Sequence, residues 1–215
     1  VVDENYVLHI PEGIALDEAA PLLCAGITTW SPLKHWNAGP GKKIAVVGMG
    51  GLGHMAVKLA SALGAEVTVL SQTLSKRDDG LRFGADHYYA TSDRATFDAL
   101  KGTFDLIINT VSADIRVNSF LGLLRLNGTL VFVGAPENPQ KFHPFSLLGG
   151  RRSLAGSAIG SIRETQEMLD FCAAHGIGAE VETISADQVD EAYDRVVDSQ
   201  VRYRFVIDTA TIPSA

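Results

Sequence analysis

Basic charge, sulfur and long apolar runs are all scarce in this sequence, and each shortage excludes something. Lys and Arg number 18 against 25 Asp and Glu, a net charge of −7. The one basic cluster is Lys76, Arg77 and Arg82; a nucleic-acid surface needs far more, so none is expected as a partner. Two cysteines, Cys24 and Cys172, lie far apart with no CxxC pattern, which argues against a disulfide scaffold and fits a reducing cytosol, the expected location. No apolar run reaches membrane-spanning length and no signal-peptide pattern opens the chain, so no membrane partner is expected. The six histidines (His9, His35, His54, His87, His143, His175) form no HxxxH pair. No Ser-His-Asp arrangement or paired carboxylates can be placed, so no catalytic residue is assigned. The chain opens without methionine at Val1-Val2-Asp3, and sequence upstream is expected.

What is present centres on Ile44-Ala45-Val46-Val47-Gly48-Met49-Gly50-Gly51-Leu52-Gly53. A short β-branched run predicts a strand buried on both faces, as in a parallel sheet. Leu52, Met55, Ala56, Leu59 and Leu63 then recur at helical spacing. Strand, glycine turn and helix together form a phosphate cradle. Gly48 permits the tight turn, Gly50 lets backbone approach a pyrophosphate, and Gly53 lets helix and strand pack closely. The helix N-terminus presents free N–H groups to that anion.

Around it the pattern alternates. Strands are predicted at residues 66–70, 86–89, 104–109, 128–133 and 153–156, with helices at 74–83, 93–100 and 115–124 and a short turn of helix at 144–148. This alternation implies right-handed crossovers and a doubly wound, six-stranded parallel sheet. Before it, residues 6–10 read as a strand, Asp17 and Glu18 open a helix, and Ser31-Pro32 starts another. After it, Ser161-x-x-Glu164 and Ser185-x-x-Gln188 are capping boxes. The second opens a helix with Val189, Ala192, Tyr193 and Val196 inward, and residues 181–184 and 204–208 are strands. This tail need not extend the sheet.

Ligands of open α/β sheets lie beyond the strand C-termini. There stand Asn109-Thr110-Val111-Ser112, Gly134-Ala135 and Ser157-Ala158-Ile159, either ordinary loop openings or the lining of a nicotinamide site. The second strand ends at Ser71, followed by Gln72 and then Lys76, where an NAD site would carry a carboxylate. A hydroxyl and an ammonium suit a 2′-phosphate, which favours NADP, although a solvated Lys-Arg pair would look the same. Cys24, on an apolar helix, reads as a buried small hydrophobe or a metal ligand. His54 reads as a surface or packing residue.

The stretch Ala19-Ala20-Pro21-Leu22-Leu23-Cys24-Ala25-Gly26-Ile27-Thr28, with Ser31-Pro32-Leu33-Lys34-His35, resembles zinc-dependent medium-chain alcohol dehydrogenases of the cinnamyl-alcohol-dehydrogenase type. So do Gly48-Met49-Gly50-Gly51-Leu52-Gly53-His54, Gly84-Ala85-Asp86, Gly156-Ser157-Ala158-Ile159-Gly160 and the segment from Val201 to Asp208. The resemblance implies a Rossmann domain at 26–160. It implies that 1–25 ends a GroES-like catalytic domain and that 161–215 returns to it. Cys24 matches a ligand of the catalytic zinc, and Thr28 a residue against the nicotinamide. Residues 48–53 match the pyrophosphate loop, and Ser71, Gln72 and Lys76 the 2′-phosphate site. Thr110, Gly134, Ser157, Ala158 and Ile159 match positions around the nicotinamide and its ribose. The implied activity is NADP-dependent interconversion of primary alcohols and aldehydes, with zinc in the complete enzyme and a homodimer through the edge near Gly156 and Gly160. Other zinc ligands belong to a preceding domain outside these residues, so the isolated chain is expected to be inactive. The alternatives are a zinc-free NADPH enone or quinone reductase and a non-catalytic NADP-binding module.

Overall fold

A computed structural model describes residues 1–212; the last three residues of the expected return, 213–215, lie outside the described residues. In chain order the elements are α1 (Leu16–Ala19), α2 (Ala25–His35), β1 (Lys43–Val47), α3 (Gly53–Ala62), β2 (Glu66–Ser71), α4 (Arg77–Arg82) and β3 (His87–Ala90). They continue as α5 (Arg94–Ala99), β4 (Phe104–Asn109), α6 (Val117–Leu123), β5 (Leu124–Phe132), α7 (Phe145–Leu148) and β6 (Ser153–Gly156). The tail holds α8 (Ile162–His175), β7 (Val181–Ile184), α9 (Val189–Val197) and β8 (Arg204–Ile207). Two units emerge: Thr28–Gly160, and Val1–Ile27 with the chain from Ser161 onward.

The first unit is the expected doubly wound sheet, six strands in the order β3-β2-β1-β4-β5-β6, all parallel. Central β1 has no exposed apolar residue: Ile44, Ala45 and Val46 are fully buried, as a strand covered on both faces must be. One core gathers Val47, Leu70, Phe104, Ile107, Leu121 and Leu130. The order reverses between β1 and β4, which places the ligand crevice at their C-terminal ends. β5 starts earlier than predicted, at Leu124, because its pairing with β4 slips between Phe104 and Leu106 and Asn127 turns at φ 63°. That irregularity absorbs the residues expected to be loop. α4 starts later than predicted, since residues 74–76 form only a turn closed by Arg77 N–H to the Leu74 carbonyl.

In the other unit β7 and β8 pair in parallel as a separate two-stranded sheet. Ser161 caps α8 as predicted: its hydroxyl accepts from Glu164 N–H at 3.2 Å and Glu164 accepts from Ser161 N–H at 2.8 Å. Such caps contribute about 1 kcal/mol.

Four expectations are corrected. Residues 6–10 are not a strand. Asp3 caps a 3-10 turn over Glu4–Tyr6, and the backbone of His9 pairs with the amide of Gln166, at 2.9 and 3.0 Å, instead of with a strand. The helix expected from Asp17 stops at Ala19 and tightens into a 3-10 turn over Ala20–Leu23, with Pro21 near its start. Pro32 does not begin a helix; α2 runs through it, although an interior proline forgoes one helical bond. Tyr193 and Val196 point outward, 70% and 50% exposed, while Ala192 is buried.

Candidate functional site

The crevice is assembled from strand tips. The β1–α3 turn begins at Gly48, whose φ of 93° an L side chain rarely adopts. A Cβ there would come within 2.5 Å of Val111 Cγ1, and one on Gly53 would run into the Gly48 carbonyl oxygen. Gly53 thus lets α3 close on the turn. Among the described residues a Cβ on Gly50 meets nothing within 4 Å, so this glycine faces open space and its backbone is open to an anion. Met49 is buried, Gly51 and Leu52 are half-buried, and Leu52 precedes the first turn of α3. His54 is fully buried, its Nδ1 3.3 Å from the Gly50 carbonyl oxygen and its ring beside Phe83. It is a packing residue of α3, and its depth removes the surface reading.

The β2 tip lies on the other side of β1 from β4. Ser71 is its last residue, half-buried, and Gln72 is exposed. Lys76, at the N-terminal boundary of α4, donates from Nζ to the Met49 carbonyl oxygen at 3.1 Å. That bond carries a positive charge from the β2 loop to the rim of the glycine turn. It also corrects the picture of a side chain merely solvated beside Arg77.

Asn109, Thr110 and Val111 turn over at the β4 tip. Thr110 was expected around the nicotinamide and its ribose; here its hydroxyl donates to the Val47 carbonyl at 2.8 Å and its Oγ1 stands beside Gly48 and Gly53. In this arrangement it braces the cradle from behind. Farther along, an open cleft of about 550 Å³ is lined by Thr28, Phe132, Val133, Gly134, Ala135 and residues 156–159. Gly134, Ser157, Ala158, Ile159 and Thr28 therefore share one cleft. Ile159 holds φ 43°, a strained conformation for a β-branched residue and one that gathers at ligand sites.

Cys24 is corrected too. It is exposed, follows the 3-10 turn rather than lying on a helix, and has φ −125° and ψ −72°. It lines a hollow of about 390 Å³ with Ala20, Pro21 and residues 204–207. Arg204 was not singled out in the sequence, and no spacing signal links it to a cysteine 180 residues earlier. Cys172 is the buried small hydrophobe, its thiol 3.6 Å from Met168 Sδ.

Among the described residues, no three His, Cys, Asp or Glu side chains come together, whereas zinc needs three or four ligands. The residues present do not by themselves fit the metal. They do fit a dinucleotide: an open glycine facing a helix N-terminus, a cation at the rim, no carboxylate at Ser71, and a cleft beyond. No helix among the described residues is long and apolar enough to cross a membrane.

Several known proteins are similar to this chain. NADP-dependent alcohol dehydrogenase C 1 of Mycolicibacterium smegmatis is 65% identical over 214 residues, 100% of this chain but 61% of that protein. A cinnamyl alcohol dehydrogenase structure from Sorghum bicolor superposes with a TM-score of 0.96 at 44% identity, covering 99% of this chain and 61% of that one. The Helicobacter pylori CAD structure complexed with NADP(H) gives 0.89 at 41% identity, covering 97% and 60%. The chain thus spans about three fifths of the relatives it matches. A family model described as zinc-binding dehydrogenase matches residues 51–174, and on that match the chain belongs to the zinc-binding dehydrogenases.

Proposed function

We propose that this chain is the cofactor-binding portion of an NADP-dependent, zinc-type alcohol dehydrogenase interconverting primary alcohols and aldehydes. The observation that carries the reading is the Lys76 ammonium bonded to the Met49 carbonyl, with Ser71 where an NAD site would carry an acid. A carboxylate there would repel a 2′-phosphate, while a hydroxyl and an ammonium form charge-assisted hydrogen bonds with it. The names of two similar proteins support it: one is called NADP-dependent, the other was solved with NADP(H).

In this reading residues 48–53 receive the pyrophosphate, with Gly50 giving backbone access and the α3 N-terminus offsetting its charge. Ser71, Gln72 and Lys76 hold the adenosine ribose phosphate. Thr28, Gly134, Ser157, Ala158 and Ile159 orient the nicotinamide ring and shield one of its faces from water, with Thr110 bracing the turn. The bound nicotinamide supplies hydride exchange with the substrate carbon. In the complete enzyme Cys24 would be one ligand of the zinc, the others coming from outside the described residues.

Residues 1–25 and 161–215 belong, on this proposal, to a catalytic domain completed by sequence outside the chain, and 26–160 to the cofactor domain. The pairing of only two parallel strands, β7 and β8, supports it, because parallel strands are normally covered on both faces. The exposed groove along Val189, Tyr193 and Val196 is a surface such a domain would bury. Strand β6, at the edge of the sheet formed by the described residues, is the proposed homodimer contact near Gly156 and Gly160, and the cytoplasm the proposed location.

Titrating the chain with NADPH and NADH tests the cofactor claim. NADPH is expected to bind clearly tighter; equal affinities would end it.

A further inference from the structure

Behind the cradle lies a buried amide to which the proposed chemistry assigns nothing. Asn109 ends β4 fully buried, and its Oδ1 accepts from no group among the described residues. A buried amide oxygen left that way costs more than an apolar side chain of equal size, so its retention needs a reason. The surrounding bonds supply one. The Asn109 backbone carbonyl accepts from both Val133 N–H and Gly134 N–H at 3.0 Å, drawing the β5 tip against β4. Its side-chain Nδ2 reaches the Val111 carbonyl at 3.4 Å, a long bond but the one that folds the tip back on itself. So held, Val111 covers Gly48 with its side chain and stands with its carbonyl against Gly134. The β4 tip is a wedge with the pyrophosphate turn on one side and the nicotinamide cleft on the other.

We propose that Asn109 is a positioning residue for the nicotinamide half of the cofactor, acting through Val111 and Gly134 without touching the ligand. The inference rests on the cofactor reading given above. An apolar residue at 109 would fill the same volume and keep every backbone bond of β4. It would release the Val111 carbonyl, and with it the seat of Gly134. The adenosine end, at Ser71 and Lys76, lies across β1 from β4 and should not register the change.

The experiment titrates NADPH and adenosine 2′,5′-bisphosphate into the 215-residue chain and its Asn109→Leu and Asn109→Ala variants, at a temperature where circular dichroism finds each folded. NADPH affinity should fall about tenfold in both variants, equivalent to about 1.4 kcal/mol, with bisphosphate affinity unchanged. This split distinguishes positioning from general loosening of the fold, which would weaken both probes alike. Equal loss of both probes, or loss of neither, overturns the inference. Failure of the wild-type chain to bind either probe overturns the cofactor reading itself.

Discussion

The Nζ of Lys76 donates to the main-chain carbonyl of Met49 at 3.1 Å, across 27 positions of sequence. A lysine on the β2 loop is thereby tied to the turn that follows β1, which sets its charge beside the proposed 2′-phosphate subsite. Charge reversal there should strike NADPH far harder than NADH. Lys76→Glu is expected to weaken NADPH by at least about tenfold, the scale of one lost charge-assisted hydrogen bond, and to leave NADH within a few-fold. Fluorescence titration of both cofactors checks this; parallel losses would remove Lys76 from the phosphate subsite.

The cradle glycines should divide by what a methyl group would meet. Gly53→Ala drives a Cβ into the Gly48 carbonyl, and backbone would have to move. It is expected to destabilise the chain by about 2–4 kcal/mol, measured by urea unfolding. Gly50→Ala meets nothing within 4 Å, so its unfolding midpoint should stay near wild type while NADPH affinity drops. Unimpaired NADPH binding by Gly50→Ala would mean that the anion does not approach there.

Acid should weaken the tail through Glu182. Desolvation, the largest single influence, raises its pKa. It is outweighed by the Arg195 hydrogen bond at 2.6 Å, the Arg202 backbone N–H and the charges of both arginines, leaving the carboxyl below its ordinary 4.5. A depressed carboxylate stabilises fully above its unfolded pKa and loses that contribution as pH falls through the folded one. The stability gap between wild type and Glu182→Gln should therefore be constant near neutrality and shrink below about pH 4.5. Urea midpoints from about pH 3 to about pH 7 measure it; a gap that widens in acid would contradict the pairing.

Cys24 alone should not retain metal. Zinc held by one thiolate lacks the three or four ligands that make a lasting site, so the purified 215-residue chain is expected to lose zinc on dialysis, read by elemental analysis. Stoichiometric retention would place further ligands within this chain.

Local chemistry was legible in the sequence; long-range pairing was not. Phe104–Asn109 and Ser153–Gly156 were readable to the residue because each is a short stretch bounded by turn residues, and the Ser161 cap because its partner is three positions away. The β-prone stretch at residues 6–10 misled because its backbone is claimed by Gln166, 157 positions from His9. Tyr193 and Val196 carry helical periodicity correctly, but periodicity identifies an apolar face without saying what covers it. At the site, the glycine turn and the Ser71–Lys76 loop stood out by spacing. The brace of Thr110 on Val47 and the neighbourhood of Cys24 with Arg204 did not, since both depend on which strand lies beside which.

The most direct measurement is a crystal structure of the chain with NADPH bound. The account predicts the pyrophosphate over Gly50, at the N-terminus of α3, and the ribose 2′-phosphate within hydrogen-bonding reach of Ser71 and Lys76. A cofactor seated elsewhere, or a turn left empty at saturating NADPH, would contradict it.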